Sequence, residues 1–555
     1  MSNTKVIVIG LDGATFDVIL PWIEENKLPA LASVYRNGAR SRFCSTPNIH
    51  SASGWTSIIT GRNPGKHGIY YFFERDFATG RMRYFIGADR KGKAIWHYLN
   101  EAGKSVGLIN VPMTYPAEPV NGFIIAGCDA PSINSGGFAY PPSLAKEILS
   151  ISKNYTIAPD TAQLLRGENK LLAVEKWIEA IEARVTVAER LYRKNPVDFF
   201  MVVFTASDWV QHKFWKYFDP AHPDYTEEGA RRYGIAIQRI FEKLDEAVGR
   251  LLALADTETN IFIVSDHGFG LRHAAKHFLP GWLVQQGLMN YKYDITAGHL
   301  PRSRSSKALQ TVAGRMQQLS RGALKKIAPS LFAETSANSR KEALFSAIDW
   351  SRTKAYVEFD NLHSIWINLK GRNPHGIVSP GQEYEQLRQH IIALLYQWTD
   401  ASGNRVVERA FKREEIYNGP YTDRAPDIQI WWSDGAMAGV AVNSETAPTL
   451  VKEEAWSGNH RLEGILMMQG PQLGRSRWIS RSSVTDVVPT VLHLFGLPVA
   501  EDIDGKILFE ALEQVSITET APATTVADSI SDQQVILTKS DEELIRERLE
   551  SLGYL

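Results

Sequence analysis

Lys5-Val-Ile-Val-Ile-Gly10-Leu-Asp12-Gly13 is an unbroken β-branched run that ends in a carboxylate beside glycine. It lacks the polar alternation of a half-exposed strand, so it predicts a strand buried on both faces, as in a parallel sheet. The polar residue comes at its C-terminal end, where open α/β sheets place their sites. The same pattern recurs at Ser105 to Asn110, at Asp198 to Phe204 before Thr205-Ala-Ser-Asp208, and at Asn260 to Val264 before Ser265-Asp266-His267. Between these runs, apolar residues at three- and four-residue steps predict helices over Glu175 to Lys194 and Glu227 to Leu254. Strands alternating with helices imply an α/β fold with a mostly parallel central sheet covered on both sides.

The stretch 296–347 departs from this pattern, being rich in Ser, Arg, Lys and Ala, and is expected to be a helical, cap-like insertion. Strand patterns return at Ser364 to Leu369, Asp427 to Trp432 and Gly464 to Gln469, so the sheet is expected to draw on both halves of the chain. The predicted organisation is a catalytic domain over 1–295 and 348–514, the insertion 296–347, and a tail over 515–555. That tail combines a Thr-, Ala- and Ser-rich linker with a charged amphipathic helix from Ser540 to Leu552.

With 555 residues and 44% apolar content the chain can bury a large core. Its 61 basic and 62 acidic residues nearly cancel, which argues against a binder of nucleic-acid polymers and leaves phosphate recognition to local groups. Two cysteines, Cys44 and Cys128, are too few for a disulfide framework and are expected as buried small residues in a reducing, cytoplasmic setting. The N-terminal apolar stretch is too short for a signal sequence, and no later run approaches the roughly 20 apolar residues of a membrane span.

Asp208-Trp-Val-Gln-His212 places a carboxylate and an imidazole four residues apart, on one face if the segment is helical. Asp12 and Asp266-His267 stand at strand ends next to glycines, and His460 lies in the polar loop Ser457-Gly-Asn-His460 before a strand. Each has an ordinary alternative as a cap, a turn or a solvated side chain. Together, three carboxylates and three imidazoles make the donor set that two divalent ions such as zinc or manganese prefer. A nucleophile is expected from His50-Ser51-Ala-Ser53-Gly-Trp-Thr56-Ser57, read as a loop entering a helix whose free amides suit a phosphate. The residues alone leave Ser51, Ser53, Thr56 and Ser57 open.

In order, Gly10-Leu-Asp12-Gly13, Trp55-Thr-Ser-Ile-Ile-Thr60-Gly61 with Asn63-Pro-Gly-Lys-His67-Gly-Ile69, Asp208 with His212, Asp266-His267-Gly268 and His460 resemble the motifs of the type I phosphodiesterase/nucleotide pyrophosphatase branch of the alkaline phosphatase superfamily. The resemblance spans roughly Lys5 to Leu512. Asn110-Val-Pro-Met-Thr-Tyr-Pro116, Trp366-Ile-Asn-Leu-Lys-Gly371 and Ser551-Leu-Gly-Tyr-Leu555 resemble its predicted phosphohydrolase or phosphomutase group. It implies an alkaline-phosphatase-like three-layer sandwich and selects Ser51, nine residues before Thr60, as nucleophile. It further implies that Asp12, Ser51, Asp266 and His267 bind one ion and Asp208, His212 and His460 the other. The family Asn that holds substrate phosphate corresponds here to Phe72. Arg90, Lys93, His273 and His277 are further candidates for contact with a small phosphate-ester substrate. The expected activity is hydrolysis of a phosphodiester or phosphomonoester through a phosphoseryl intermediate. A cofactor-independent phosphomutase uses the same parts, and a non-catalytic binder on the same fold is the reading from another class.

Overall fold

In the computed structural model, which describes residues 4–76, 82–272, 279–292, 344–359, 361–400, 402–433, 442–444, 447–450, 456–513 and 537–552, the opening run forms strand β1 (Lys5–Leu11) at the centre of a ten-stranded sheet. β1 is flanked in parallel by β3 (Phe199–Phe204) and β4 (Thr259–Val264), and β3 pairs in parallel with β2 (Val106–Val111). Successive strand side chains point to opposite faces. Ile7, Ile9 and Leu11 accordingly enter one core with residues of the helices Leu171–Lys194 and Ala236–Leu252, while Val6 and Val8 enter another with Trp55, Ile58 and Ile59 of helix α1 (Ser51–Thr60). All five strand side chains are fully buried, each worth roughly 2 kcal/mol relative to exposure. Two cores, one on each face, make this a three-layer α/β arrangement and explain why the run has no polar positions.

The second half of the chain contributes less to this sheet than its patterns suggested. Its longest contribution is β7 (Glu463–Gln469), antiparallel to β4, joined by the short strands Arg477–Trp478 and Ser482–Ser483. The runs around 364–369 and 427–432 lie instead in a separate antiparallel sheet ordered Ala355–Glu358, Asn361–Ile367, Ile428–Trp432, Val407–Lys412. Apolar patterning reports burial but not which strand supplies the partner. The helix expected from Glu227 to Leu254 is two, Glu227–Tyr233 and Ala236–Leu252, interrupted at Gly234, a poor helix former through which the apolar periodicity continues.

The chain forms two compact units. The first, 1–272 with 413–425 and 455–555, holds the ten-stranded sheet; the second, 273–412 with 426–454, holds the four-stranded one. The insertion expected at 296–347 lies, up to residue 343, outside the described residues. The C-terminal helix is present as Lys539–Leu552, with Ile545 and Leu549 buried and Arg548 donating to the carbonyls of Cys128, Ala130 and Pro131. Cys128 is a buried free thiol as expected, whereas Cys44 is only half-buried, at a strand end beside Arg481. None of the described helices is long and apolar enough to cross a membrane.

Candidate metal centre

Parallel pairing delivers the functional residues side by side. In the registers Leu11↔Phe204 and Gly10↔Val264, the C-terminal ends of β1, β3 and β4 are neighbours, and Asp12, the helix α2 (Ala206–Phe218) and Asp266-His267 follow them directly. α2 carries Asp208 and His212 one turn apart. Gly10 is a point of close approach: a side chain there would meet Trp55 of α1 at 2.5 Å, and the Trp55 indole donates to Asp12 Oδ2 at 3.0 Å. Gly13 turns the chain with φ 65°, and a Cβ on it would meet Phe269 and His267 at 3.0 and 3.2 Å. His460 arrives from far along the chain because β6 (Gly458–Arg461) pairs antiparallel with β5 (Gly268–Leu271), placing it opposite Phe269.

The six residues fall into two groups, Asp12/Asp266/His267 and Asp208/His212/His460. Within each group one carboxylate oxygen or imidazole nitrogen from every residue lies within 4.8 Å of those of the other two. Five are wholly buried, and the His460 side chain alone reaches solvent, at 12% exposure. Of the four candidate hydroxyls, Ser51 Oγ lies 3.1 Å from His267 Nε2 and 3.5 Å from Asp12 Oδ1. The others have different partners: Ser53 meets Thr46 and Asn48, Thr56 donates to the Ala52 carbonyl, and Ser57 meets His67. Ser51 opens α1 after His50, whose Nδ1 accepts the Ala52 N–H at 3.2 Å.

Backbone carbonyls set the imidazole tautomers. Nδ1 of His212, His267 and His460 donates to the carbonyls of Gly458, Gly268 and Ile49, each at 3.0 Å. In the neutral form each Nε2 is then a bare lone pair directed at the carboxylates, as metal-ligating histidines are held. His212 Nε2 and His460 Nε2 face each other at 3.0 Å, a contact that needs positive charge between them. The titration behaviour agrees. Burial and the neighbouring carboxylates push Asp12 well above its ordinary value, and burial with Asp208 pushes Asp266 up to about 7. Burial would raise Asp208 too, but His212 and His460 outweigh it and hold that carboxyl low; reciprocally, Asp208 overcomes burial and raises His460. Burial lowers His212 to about 4. Buried carboxylates crowded together, with imidazole lone pairs turned inward, fit a pair of divalent cations.

The family model described as Type I phosphodiesterase / nucleotide pyrophosphatase matches residues 6–439. The chain belongs to this family. Type I phosphodiesterases are phosphoester hydrolases of the alkaline phosphatase superfamily, and the α/β fold with its mostly parallel sheet accords with that membership. Among solved structures, phosphonoacetate hydrolase from Sinorhizobium meliloti 1021 in complex with phosphonoformate is similar at 14% identity and a TM-score of 0.48, covering 88% of this chain and 94% of that one. Murine ectonucleotide pyrophosphatase/phosphodiesterase 5 in complex with AMP is similar at 12% identity and a TM-score of 0.49, covering 92% and 100%. No curated protein matches the chain at a significant level.

The remaining candidates of this phosphodiesterase-family chain are placed differently. Phe72 is fully buried in the core, its ring edge-on to that of His50, the residue before Ser51, with centroids 5.3 Å apart. Arg90 is buried, donating to Glu118 and the Met113 carbonyl, and Lys93 pairs with Glu101 at 2.7 Å; no described contact links either to the ligand groups. His273 and His277 lie outside the described residues. Several supporting residues escaped sequence reasoning. Ser207 donates to the Asp12 carbonyl at 2.7 Å, and Gln211 to the Gly13 carbonyl at 3.0 Å, fastening α2 to the β1 turn. Ile49, a β-branched residue at φ 46°, presents the carbonyl that orients His460. Trp456 packs on His212 with ring centroids 4.0 Å apart. A signal for Ser207 and Gln211 existed, since both share a helix with Asp208 and His212; none existed for Ile49.

Proposed function

We propose that the protein is a two-metal phosphohydrolase that cleaves a phosphate ester through a phosphoseryl intermediate on Ser51. Family membership supports the hydrolase class. The finer reading is carried by the position of Ser51 Oγ against His267 and Asp12, beside a second group of three ligands. Asp12, Asp266, His267 and Ser51 would hold one ion and Asp208, His212 and His460 the other, with zinc or manganese suited to these oxygen and nitrogen donors. When bound, such ions supply positive charge that lowers the serine pKa and stabilises charge on the phosphoryl and leaving groups.

The chain supplies the geometry. Ser51 is the first residue of α1, where unpaired backbone N–H groups and the positive end of the helix dipole favour a phosphate anion. Its Oγ forms the bond to phosphorus as the ester oxygen departs on the opposite side, toward His212 and His460; water then cleaves the phosphoserine and restores the hydroxyl. The carbonyl-bound imidazoles and the Trp55–Asp12 bond fix the ligands before substrate arrives. Acid quenching during turnover of an aryl phosphate ester, followed by mass spectrometry, tests the proposal. A phosphoryl group on Ser51 is expected; label on another residue, or undiminished turnover by Ser51→Ala, overturns it.

A further inference from the structure

We propose that Asn48, clamped by Tyr417, is a positioning residue that sets the loop before Ser51 and thereby aims both the serine and His460. The inference rests on the phosphohydrolase reading above and adds to it two residues outside both ligand groups.

Thr46-Pro47-Asn48-Ile49 is a β-turn, closed by the Ile49 N–H on the Thr46 carbonyl at 2.9 Å, with proline at the second position, where its fixed φ suits such a turn. The turn delivers Ile49 at φ 46°, a conformation that a β-branched residue holds only where its surroundings impose it. The Ile49 carbonyl receives the Nδ1–H of His460 at 3.0 Å, and two residues later the chain reaches Ser51. One short stretch thus serves both ligand groups.

The buried Asn48 side chain ties this stretch down. Its Nδ2 donates to the Tyr70 carbonyl, and its Oδ1 meets Ser53 Oγ at 3.1 Å and the Tyr417 hydroxyl at 3.4 Å. Ser53 Oγ also lies 2.8 Å from Thr46 Oγ1, which links the amide to the start of its own turn and to the first turn of α1. Ser53 has a single proton, and the His50 carbonyl competes for it at 2.9 Å. The Tyr417 hydroxyl is then the donor that keeps the Asn48 oxygen satisfied, and a buried oxygen without a donor is costly. Tyr417 is held independently: it is buried, with its ring edge-on to Tyr70 at 5.1 Å. Beside it, the Asn418 N–H donates to Asn63 Oδ1 at 3.2 Å, and the Asn418 carbonyl accepts from Asn63 Nδ2 at 2.9 Å. Tyr417 and Asn418 therefore grip the chain just before and just after α1.

Zinc calorimetry and steady-state hydrolysis of para-nitrophenyl phosphate test the assignment. Asn48→Ala is expected to weaken zinc binding about tenfold at one of two sites, the loss that follows when an orienting contact goes. It should lower kcat about thirtyfold with KM unchanged, because a displaced nucleophile is felt in the transition state. Adding Ile49→Asn, which puts at the left-handed position the residue type that adopts it most readily after glycine, should restore most of both losses. Tyr417→Phe deletes one hydroxyl and should lower kcat about fivefold in the parent, but less than about twofold once Asn48 is replaced by alanine. Parental zinc binding and kcat in Asn48→Ala, losses that Ile49→Asn does not restore, or a Tyr417→Phe effect independent of Asn48 each overturn the assignment. Should Asn48→Ala not fold, parental kcat and zinc binding in Tyr417→Phe overturn it. The same pattern of zinc losses in a protein that hydrolyses no phosphate ester keeps Asn48 as the residue that positions His460 and sinks the hydrolase reading.

Discussion

At the C-terminal end of α1, Arg62 is 2% exposed and donates to Asp502 at 2.5 Å, to the Tyr98 hydroxyl at 2.8 Å and to the Lys93 carbonyl at 2.7 Å; Arg90, also buried, donates to Glu118. At its N-terminal end, Ser51 faces buried carboxylates that meet imidazoles whose Nδ1–H groups are already given to backbone carbonyls. The first end closes its charge within the protein and needs nothing further. At the second, burial and mutual repulsion drive Asp12 and Asp266 toward protonation, so the arrangement costs the fold stability as it stands and has the donors that added cations would suit. Both ends are buried and polar; what separates structure from site is whether the charges balance.

The largest effect should come from Ser51→Ala, which leaves both ends intact yet removes the attacking oxygen. Phosphate release from an aryl ester is expected to fall on the order of 10³-fold or more, with the far-ultraviolet spectrum unchanged. At the balanced end, Glu118→Gln deprives the Arg90 guanidinium of its counter-charge and should lower stability in urea by about 3 kcal/mol. Its metal content should match the parent; a loss of metal would erase the distinction between the ends.

At the other end the sign reverses. Asp266→Asn should bind less metal yet make the chelated protein more stable by about 1 to 2 kcal/mol, since it removes one of the crowded carboxylates. A chelated variant less stable than the chelated parent would show that Asp266 is structural. The pH dependence sharpens the same contrast. Asp266 titrates near 7 in the fold against 3.8 unfolded, so its contribution is complete below the unfolded value and is lost as pH rises through about 7. Thermal melts in chelator should therefore decline from about pH 5 to about pH 8, while the gain from added zinc grows over the same window because binding needs the ionised carboxylates. The smallest effect belongs to Ile49→Gly, which frees the αL residue behind the His460 contact. Zinc calorimetry should show about fivefold weaker binding at one of two sites, less than the tenfold or more expected when an orienting partner is removed outright. Unchanged affinity would detach Ile49 from the site.

The sequence by itself determined the strands that lead to Asp12, Asp208 and Asp266, the four-residue spacing that puts Asp208 and His212 on one face once their segment is helical, and a sheet covered on both sides. These follow from side-chain direction repeating every two or 3.6 residues, a property each segment carries alone. Only the tertiary structure decided the rest. It sent 361–367 and 428–432 to a second sheet, paired Arg90 with Glu118, gave Ser53, Thr56 and Ser57 other partners, and brought His460 opposite Phe269. Periodicity records that a face is buried, but not what covers it. A residue such as His460, nearly two hundred positions from Phe269 in the chain, acquires its role only when two strands pair.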